Sequence, residues 1–414
     1  MTDILKPVAP EERIHVLDVL RGWALFGVLW SNLNDHYGPR DPVTKLDNAL
    51  QWTQNWLLES RFYSLLILLF GIGFGIQLTR AARDGADLRT TYYRRTATLL
   101  AIGVIHGTLI WRGDILTIYA LVAFALVMFR AMSTRNIAIA AILIWFLGPT
   151  LVREGMFLSG FRIMLPGNAG ETTEIYARGT WREIERARVG GYLQWLGRWG
   201  LTSYVSILGA FLTGLWAVKS GYLQRVIDDP RTTRRLLIIA LVAAGVGYAQ
   251  WQWAGALWPR VQGPASAEPV FPYPYFHLAQ LRGLVLKLFD WGTEGMAVAY
   301  ACVLVLIWQR PAGARALRPL AAAGRMALTT YLTQSIVCTL LFYSYGFGLY
   351  GSVGYTGMFV ITLVLFGTQM VLSTWWLRRF RYGPAEWLWR TLTYGRPPRL
   401  VAASSPSGAM AGAE

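Results

Sequence analysis

The 414-residue sequence has few side chains suited to metal binding or redox chemistry, because it contains only two Cys and four His. Cys302 and Cys338 both fall within apolar segments, where a free Cys behaves as a small core residue. The sequence shows no Cys–His spacing typical of a metal site, no Walker loop and no serine nucleophile elbow. No metal is therefore expected, and no motif indicates a nucleotide-hydrolysing enzyme or a serine hydrolase.

Charged residues are also scarce: they make up 15% of the chain, whereas apolar residues make up 54%. The mean hydropathy of +0.36 excludes a disordered chain and is typical of a membrane protein. The net charge of +16 does not indicate nucleic-acid binding, since the basic residues lie mainly in connections between apolar segments. We therefore predict a protein that contacts membrane lipids and no nucleic acid.

Ten apolar segments have the length and composition of membrane helices. They predict an all-α polytopic bundle, forming a single domain over 1–400 with an outside loop over 153–200 and a disordered tail over 401–414. No internal repeat and no cleavable signal peptide are evident. The predicted segments are 16–33, 62–79, 94–110, 115–130, 136–152, 202–218, 235–253, 286–308, 326–344 and 356–377.

Lys and Arg residues are distributed unevenly over the connections. When the N-terminus is placed in the cytoplasm, every short connection obeys the positive-inside rule. An even number of crossings then returns the C-terminus to the same side, so both termini are predicted to be cytoplasmic. Within the outside loop, residues 180–199 are predicted to form an amphipathic helix that caps a cavity. Residues 254–285, rich in Pro and aromatics, are predicted to be irregular.

The first apolar segment, 16–33, carries charges where a membrane helix normally has none. Asp18 and Arg21 lie one helical turn apart on one face, and Asn32 lies near the other end. Intramembrane charges are costly and usually face a bundle interior or a wet cavity. We interpret this segment as the wall of a cavity, with Asp18, Arg21 and Asn32 as candidate substrate-binding residues. The alternative is a structural Asp–Arg pair that fixes the orientation of the helix.

The third apolar segment contains the only His within an apolar span. His106 precedes a short turn at 111–114, and Gly103 and Gly107 leave room beside it for a close neighbour or a substrate. A His oriented by a carboxylate can remove a proton from an attacking hydroxyl or amine, so His106 and Asp114 are the candidate catalytic residues. The alternative is structural, with His106 bonded to a backbone carbonyl and Asp114 capping the next helix.

Other polar groups give weaker indications. Gln334 lies mid-segment in a polar stripe that includes Tyr331, and it either binds substrate or ties two helices together. Asp290 and Glu294 are four residues apart, and they form either an acid–base pair or cation site, or ordinary ion pairs with Lys287 and Arg282. The GxGxG motif at 71–75 lies inside an apolar segment, so it indicates close helix packing and not a dinucleotide site.

Five blocks, spread in this order along nearly the whole chain, carry a family resemblance: RIHVLDVLRGWALFGVLWSNL, RFYSLLILLFGIGFG, IGVIHGTLIWRGDILTIYAL, GRMALTTYLTQSIVCTLLFYSYGFGLYG and FRYGPAEWLWRTLTYG. They resemble the YeiB-like family of bacterial inner-membrane proteins, a domain family of unknown function. That family is similar, more distantly, to transmembrane acyltransferases such as heparan-alpha-glucosaminide N-acetyltransferase. The resemblance implies a multi-pass protein of the bacterial inner membrane whose helical core passes an acyl group from cytosolic acyl-CoA to an acceptor on the far side.

The resemblance extends to two groups of candidate residues. The block with Asp18 and Arg21 resembles the first-helix signature of the family, and the block with His106 and Asp114 resembles its His–Asp hairpin. In the glucosaminide enzyme the catalytic His lies between the first two helices. Here that region offers only His36, within a sequence that does not match. His106 is therefore a substitute candidate for the catalytic base.

Three functions are compatible with these residues. The first is transfer of an acyl group from acyl-CoA to a hydroxyl or amine of the cell envelope. Arg21 and basic residues of the inner loops would then meet the CoA phosphates, His106 would act as the base, and Asn32 or Gln334 would polarise the thioester carbonyl. The second is a transporter or lipid-handling protein that uses the buried polar residues as a substrate or proton path. The third is a non-catalytic scaffold, and an oligomer is compatible with all three.

Overall fold

The computed structural model describes residues 12–58, 60–85, 88–149, 151–152, 169–198, 200–261 and 276–401. Within these residues the regular elements are helices, apart from one isolated bridge between Phe380 and Val401. The predicted all-α fold is therefore confirmed. The predicted disordered tail lies outside the described residues except for Val401, its first residue.

Each of the ten predicted apolar segments contains a helix, namely α1, α3, α4, α5, α6, α9, α11, α12, α15 or α16. The remaining helices lie in the connections. In chain order the helices of the described residues are α1 (His15–His36), α2 (Lys45–Thr53), α3 (Arg61–Arg83), α4 (Leu88–Leu109), α5 (Leu116–Leu126), α6 (Thr134–Phe146), α7 (Ala169–Arg178), α8 (Trp181–Arg198), α9 (Gly200–Lys219), α10 (Tyr222–Asp228), α11 (Pro230–Val261), α12 (Phe276–Trp308), α13 (Pro311–Ala316), α14 (Arg318–Arg325), α15 (Ala327–Phe342), α16 (Tyr355–Arg379) and α17 (Pro384–Tyr394).

The connection between α11 and α12 is shorter than the sequence predicts. The irregular segment expected over 254–285 is wrong at both ends, because α11 continues to Val261 and α12 begins at Phe276. The two helices pack along each other, and a Cβ on Gly292 would lie 2.8 Å from the Cα of Gly247. This helix–helix contact outweighs the local turn preference of the Pro-rich segment, because tertiary packing routinely overrides propensity.

Helix α1 lies at the centre of the bundle and is buried on most of its surface. Its neighbours are α3, α12, α14, α15 and α16. The approach of α14 is especially close, because a Cβ on Gly324 would overlap the carbonyl oxygen of Asp18, and a Cβ on Gly22 would overlap that of Leu320. Asp18 therefore lies inside the protein, whereas Arg21 is partly exposed and Asp35, near the end of the helix, is exposed.

The GxGxG motif of α3 marks a second close helix contact. A Cβ on Gly71 would overlap the backbone of Phe211 in α9, and a Cβ on Gly75 would lie 2.8 Å from the Cβ of Val218. Gly73 faces the cavity described below. The prediction that this motif serves helix packing is confirmed for two of its three glycines.

The peripheral helices present apolar side chains outwards, including Ile239 and Val242 of α11 and Val364 and Val371 of α16. In the described chain, three segments are long and apolar enough to cross a membrane: Lys45–Arg83, Pro230–Ala249 and Tyr355–Arg379. The shorter apolar helices are Leu116–Phe129, Thr134–Trp145, Ser203–Lys219, Gly292–Trp308 and Ala327–Phe342. A surface of this kind is compatible with lipid contact.

Candidate functional site

A cavity of about 340 Å³ opens among α1, α3, α4, α5, α15 and α17. Along α1 its lining runs from Ile14 to Leu25, which corresponds to about 17 Å of helix axis. The volume falls within the range of small-molecule pockets, about 300–1,000 Å³. Asp18 and Arg21 both line the cavity, so α1 has the position that its sequence predicts.

Five arginines line the cavity at the end where α1 begins. They come from α1 and the residues before it, α4, α14 and α17, which are far apart in the sequence. The predicted topology places these parts of the chain on one side of a membrane, and the fold brings them to one end of the bundle. We name this group the basic mouth: Arg13, Arg21, Arg95, Arg325 and Arg390.

Asp18 is held between two arginines of the basic mouth. Its carboxylate accepts hydrogen bonds from Arg13 Nε at 2.6 Å, from Arg13 Nη2 at 2.9 Å and from Arg21 Nη1 at 2.9 Å. The Asp18 side chain is 2% exposed, whereas those of Arg13 and Arg21 are 25% and 30% exposed. The predicted Asp18–Arg21 pair is present. Arg13 is a third member that sequence analysis missed, because it precedes the apolar run.

Glu386 of α17 also lines the cavity, but its carboxylate is engaged in capping α15. It accepts hydrogen bonds from the backbone N–H groups of Leu328 at 2.6 Å and Thr329 at 3.1 Å. The Thr329 hydroxyl donates a further bond at 2.6 Å. Burial raises the pKa of the Glu386 carboxyl above its usual value. This acidic residue therefore serves the N-terminus of a helix and forms no ion pair with the basic mouth.

Arg95 and Arg390 consequently have no carboxylate within 4.0 Å in the described chain. The Arg95 guanidinium lies 3.9 Å from the ring centroid of Trp389, and that of Arg390 lies 4.5 Å from the ring of Tyr382. Stacking on an aromatic ring positions a guanidinium while leaving its N–H donors free at the edge. These two arginines are therefore suited to bind an anion that enters the cavity.

The other end of the cavity is lined by Tyr119, Ile115 and Tyr331. The backbone N–H of Ile115 donates to the Tyr331 hydroxyl at 3.3 Å. The Tyr331 ring lies 5.1 Å from the ring of His106, measured between centroids. His106 itself does not line the cavity. Tyr331 therefore separates the cavity from His106 and contacts both.

His106 and Asp114, the predicted catalytic pair, are hydrogen-bonded to each other. His106 Nδ1 lies 2.9 Å from Asp114 Oδ1, and the two side chains are 1% and 0% exposed. The second oxygen, Oδ2, accepts from the backbone N–H of Thr117 at 2.8 Å and so caps the start of α5. Asp114 therefore both orients the His and caps the helix, so the two interpretations left open by the sequence are not exclusive.

The hydrogen bond also determines the tautomer of His106. An ionised carboxylate only accepts hydrogen bonds, so the proton of the neutral imidazole lies on Nδ1 and the lone pair on Nε2. His106 Nε2 is buried and has no hydrogen-bond partner within the protein. An imidazole in this state can accept a proton at Nε2, which is what a general base requires.

Gly103 and Gly107 make room for the groups around His106. A Cβ on Gly103 would lie 2.9 Å from Asp114 Oδ2 and 2.6 Å from the backbone nitrogen of Thr117. A Cβ on Gly107 would overlap the ring of Tyr192. Of the two predicted alternatives for these glycines, a close protein neighbour is the one that the structure shows.

Helix α8 lies over the hairpin formed by α4, the turn at 111–114 and α5. It confirms that a helix forms within 180–199, but none of its residues lines the cavity that it was predicted to cap. The hydroxyls of Tyr192 and Thr117 lie 2.8 Å apart, and Trp195 Nε1 donates to the backbone carbonyl of Asp114 at 3.1 Å. This helix therefore caps the His106–Asp114 pair on the side opposite the basic mouth.

Asn32 and Gln334, the other two predicted site residues, do not line the cavity. The Tyr63 hydroxyl donates to Asn32 Oδ1, and Gln334 Nε2 donates to Gln369 Oε1 at 3.1 Å. Gln334 thus links α15 to α16, which matches the helix-tying alternative. The geometry places neither side chain where it would polarise a carbonyl inside the cavity.

The weaker candidates Glu294 and His36 do not line the cavity. The Ser64 hydroxyl donates to Glu294 at 3.0 Å, while the Asp290 side chain lies outside the described residues. His36 packs its ring 5.0 Å from that of Trp111 and 6.0 Å from that of Trp195. The fold therefore brings His36 to the hairpin end, and it is His106 that bonds to the carboxylate.

Sequence analysis did not select Tyr331, and it included Arg95 and Arg390 only within the group of basic residues on the predicted cytoplasmic side. Tyr331 belongs to the polar stripe noticed in its segment, but nothing local distinguishes it from its polar neighbours. In the sequence, Arg95 and Arg390 are distinguished only by their position on the predicted cytoplasmic side. Their one available signal was the Trp-rich block around Trp389, since aromatic residues there provide the stacking partner of Arg95.

Comparison with known proteins gives a consistent family. A family model described as "Protein of unknown function (DUF418)" matches residues 217–396. Uncharacterized protein YxaH of Bacillus subtilis (strain 168) is 31% identical, over 94% of this chain and 96% of its own length. Uncharacterized protein YeiB of Escherichia coli (strain K12) is 27% identical, over 92% and 96%. The predicted resemblance to the YeiB-like family is thereby confirmed.

Proposed function

Because this chain belongs to the DUF418 family of proteins of unknown function, we propose an activity from its cavity: transfer of an acyl group from acyl-CoA to an acceptor hydroxyl or amine across a membrane. One observation supports it most strongly. The cavity runs from the basic mouth to Tyr331, which contacts the buried His106–Asp114 pair. An acyl-CoA carries phosphates at one end and a thioester at the other, and these ends require cations and a nearby base.

The protein in this proposal spans the bacterial inner membrane with ten helices and has both termini in the cytoplasm. The outward apolar faces of α11 and α16 support this arrangement, as does the distribution of Lys and Arg over the connections. In this orientation the basic mouth faces cytosolic acyl-CoA. The His106 hairpin and α8 then lie towards the outer side, where the acceptor binds.

The donor would place its phosphates at Arg95 and Arg390, whose N–H donors have no carboxylate partner in the described residues, and at Arg21. Its pantetheine arm would lie along α1 between Leu17 and Leu25, which line the cavity with mostly apolar neighbours. A cavity of about 340 Å³ accommodates the arm and a short acyl chain, leaving the nucleotide at the mouth.

The proposed chemistry is acyl transfer with His106 as general base. The acceptor oxygen or nitrogen attacks the thioester carbonyl while His106 Nε2 takes its proton. A C–O or C–N bond forms, the C–S bond breaks, and the CoA thiolate leaves and is protonated by the imidazolium. Asp114 keeps Nδ1 protonated and stabilises the imidazolium.

Tyr331 is better placed than Asn32 or Gln334 to stabilise the oxyanion. Its hydroxyl oxygen already accepts the Ile115 N–H, so its own O–H remains available to donate. The side chain lines the cavity and contacts the His106 ring. A donor at this position would stabilise negative charge as it develops on the thioester oxygen.

The test uses the full chain in nanodiscs with acetyl-CoA and longer acyl-CoAs, with envelope extract as acceptor, and follows free CoA and labelled product. His106→Ala should fold normally and lose at least about a hundredfold in rate, the scale of a positioned base. His36→Ala is the matched control, since His36 packs against Trp111 without bonding Asp114, and it should retain activity. Full activity in His106→Ala would remove His106 from the mechanism.

Transport is the second candidate, and one observation favours it. The buried carboxylate of Asp18 lines the cavity and that of Asp114 lies beyond Tyr331 at its other end, and such groups also serve as proton or substrate relays. A transporter would move substrate into proteoliposomes without releasing a thiol. Absence of CoA release by the unmodified protein with every acyl chain would favour this candidate.

A further inference from the structure

The hairpin end contains several buried polar atoms that have no hydrogen-bond partner in the protein. They belong to Tyr176 (Oη), Arg188 (Nη1 and Nη2) and Trp111 (Nε1), in addition to His106 Nε2. Native proteins satisfy about 90% or more of their buried polar groups, because an unpaired buried donor costs free energy. A concentration of unpaired donors at one end of the bundle therefore calls for a ligand.

Arg188 is the most informative of these residues. It is 1% exposed, and its Nε donates to the backbone carbonyl of Thr108 at 2.8 Å. That bond caps the C-terminal end of α4 and uses one N–H donor of the guanidinium. The cap leaves Nη1 and Nη2 without partners, so stabilising α4 does not account for a buried Arg at this position.

The surroundings of Arg188 are positive. The guanidinium of Arg112 lies 5.2 Å from the ring centroid of Tyr176, and that of Arg188 lies 5.7 Å from the ring of Trp181. No carboxylate of the described chain lies within 4.0 Å of either guanidinium. Burial raises the pKa of Tyr176 to about 12, against the opposing effect of the two arginines, so its hydroxyl remains a donor at neutral pH.

We propose that Arg112, Tyr176 and Arg188 form an oxyanion-binding site that holds a carboxylate or phosphate group of the acceptor. Planar guanidinium groups bind such anions through paired N–H donors, and burial strengthens the interaction. The basic mouth lies at the opposite end of the bundle and faces the donor, so the two positive regions serve different molecules.

The location of the site gives it a role in acyl transfer, and this role rests on the function proposed above. Arg188 bonds the carbonyl of Thr108, which lies two residues beyond His106 in the chain. Arg112 belongs to the turn that joins His106 to Asp114. An acceptor anchored here by its anionic group would present its hydroxyl or amine beside the hairpin that carries the base. Neutral molecules of the same size would bind weakly.

The site can be tested without any turnover. Isothermal titration of the full chain in nanodiscs would use inorganic phosphate and acetate as probes, with glycerol as the neutral control. Arg188→Gln should weaken binding of the preferred anion by about a hundredfold, and Tyr176→Phe by about tenfold, as expected for charge-assisted hydrogen bonds. Tyr176→Phe keeps the ring and removes a hydroxyl that has no partner, so it should not disturb folding.

Arg186→Gln is the matched control, because Arg186 is an exposed residue of the same helix, two positions from Arg188. It should bind both anions as the unmodified chain does. Absence of binding by the unmodified chain, or equal binding by Tyr176→Phe and Arg186→Gln, would overturn the site. The relative affinity for phosphate and acetate identifies which anionic group the acceptor carries.

A second measurement separates this site from the donor reaction. Binding of acetyl-CoA, measured by the same titration, should be unchanged in Tyr176→Phe. Anion binding without CoA release from any acyl-CoA would leave the site in place and refute the acyl-transfer function. Acyl transfer with the same KM for anionic and neutral acceptors, such as glycerol 3-phosphate and glycerol, would refute the site and retain the function.

Discussion

The two ends of the helical bundle, the basic mouth and the His106 hairpin, hold their charges in opposite ways. At the basic mouth, Arg13 and Arg21 are 25% and 30% exposed and share one carboxylate, while Arg95 has only an aromatic ring as a described partner. At the hairpin end, His106 and Asp114 are 1% and 0% exposed and belong to a network of directed hydrogen bonds.

In the proposed reaction, this difference corresponds to two separate tasks. Binding a phosphate needs positive charge that remains hydrated until the ligand arrives, so an excess of partly exposed arginines is suitable. Moving a proton needs a base fixed in one tautomer and shielded from water, so burial and orientation are suitable. We therefore expect substitutions at the mouth to change KM or stability, and substitutions at the hairpin to change kcat.

The largest effect is expected at the hairpin. His106→Gln should reduce kcat by about 10²–10⁴-fold with little change in the KM for acyl-CoA, because the base is removed and the donor site is intact. Asp114→Asn should reduce kcat by about 10–100-fold, since it loses orientation of the imidazole but retains the base. Steady-state rates over a range of acyl-CoA concentrations measure both constants. A rise in KM alone would place the hairpin in donor binding.

The next effect concerns stability at the mouth. Replacing both Arg13 and Arg21 by Gln strands the buried Asp18 carboxylate and should cost about 3–5 kcal/mol in the free energy of unfolding. Arg21→Gln alone should cost much less, because Arg13 continues to bond Asp18 through two nitrogens. Thermal unfolding in detergent measures both. Equal losses in the single and double variants would show that Arg13 does not support Asp18.

A smaller effect is expected for the donor-binding arginines. Arg95→Gln should raise the KM for acyl-CoA roughly tenfold with kcat unchanged, which is the scale of one charge-assisted hydrogen bond. Arg94→Gln is the control, since Arg94 is exposed and does not line the cavity. The difference between the two variants should shrink at high salt. Identical KM values would exclude Arg95 from donor binding.

The smallest effect is expected for two carboxylates that cap helices, one near each end of the bundle. Asp47 accepts from the Thr356 N–H at 2.9 Å and hydroxyl at 2.6 Å, and these bonds lower the pKa of its carboxyl. A carboxyl whose pKa is lowered in the folded state stabilises the fold at pH values above its ordinary pKa of about 3.9. This contribution to stability is lost as the pH falls. Burial shifts the pKa of Glu386 in the opposite direction.

Asp47→Asn should therefore reduce thermal stability at pH 7, and the difference from the unmodified chain should diminish as the pH falls below about 4. For Glu386→Gln, the difference in unfolding temperature from the unmodified chain should not diminish at acid pH, because the Glu386 carboxyl binds protons more readily in the folded state. Unfolding temperatures between pH 3 and pH 7 provide the comparison. A difference for Asp47→Asn that is independent of pH would assign its effect to shape and not to charge.

The parts of this site that the sequence predicts are those formed by local contacts. His106 and Asp114 are eight residues apart and joined by a short turn, so their proximity follows from the chain itself. Asp18 and Arg21 are one helical turn apart on one helix. The ten apolar segments are predictable for the same reason, since each depends on a continuous run of residues.

The parts that the sequence does not predict depend on packing between distant helices. Tyr331 lies 216 residues from Ile115, which donates to it, and Arg188 lies 80 residues from Thr108. Gln334 was selected as a substrate-binding candidate but does not line the cavity. A polar residue in an apolar helix is equally suited to binding a ligand or a neighbouring helix, so the sequence does not distinguish the two roles. Its bond to Gln369 is a matter of register between α15 and α16, which single-segment patterns do not encode.

In the proposed membrane arrangement, the ring of Tyr331 has a consequence for electrical insulation. A water-filled passage from the basic mouth to the outer side would let ions leak and dissipate the membrane potential. The cavity instead ends at Tyr331, beyond which His106 and Asp114 are fully buried under α8. Under the proposed function, such a partition would let an acyl group and a proton pass from one side to the other while hydrated ions are retained, so the chain would act across a membrane without becoming a channel.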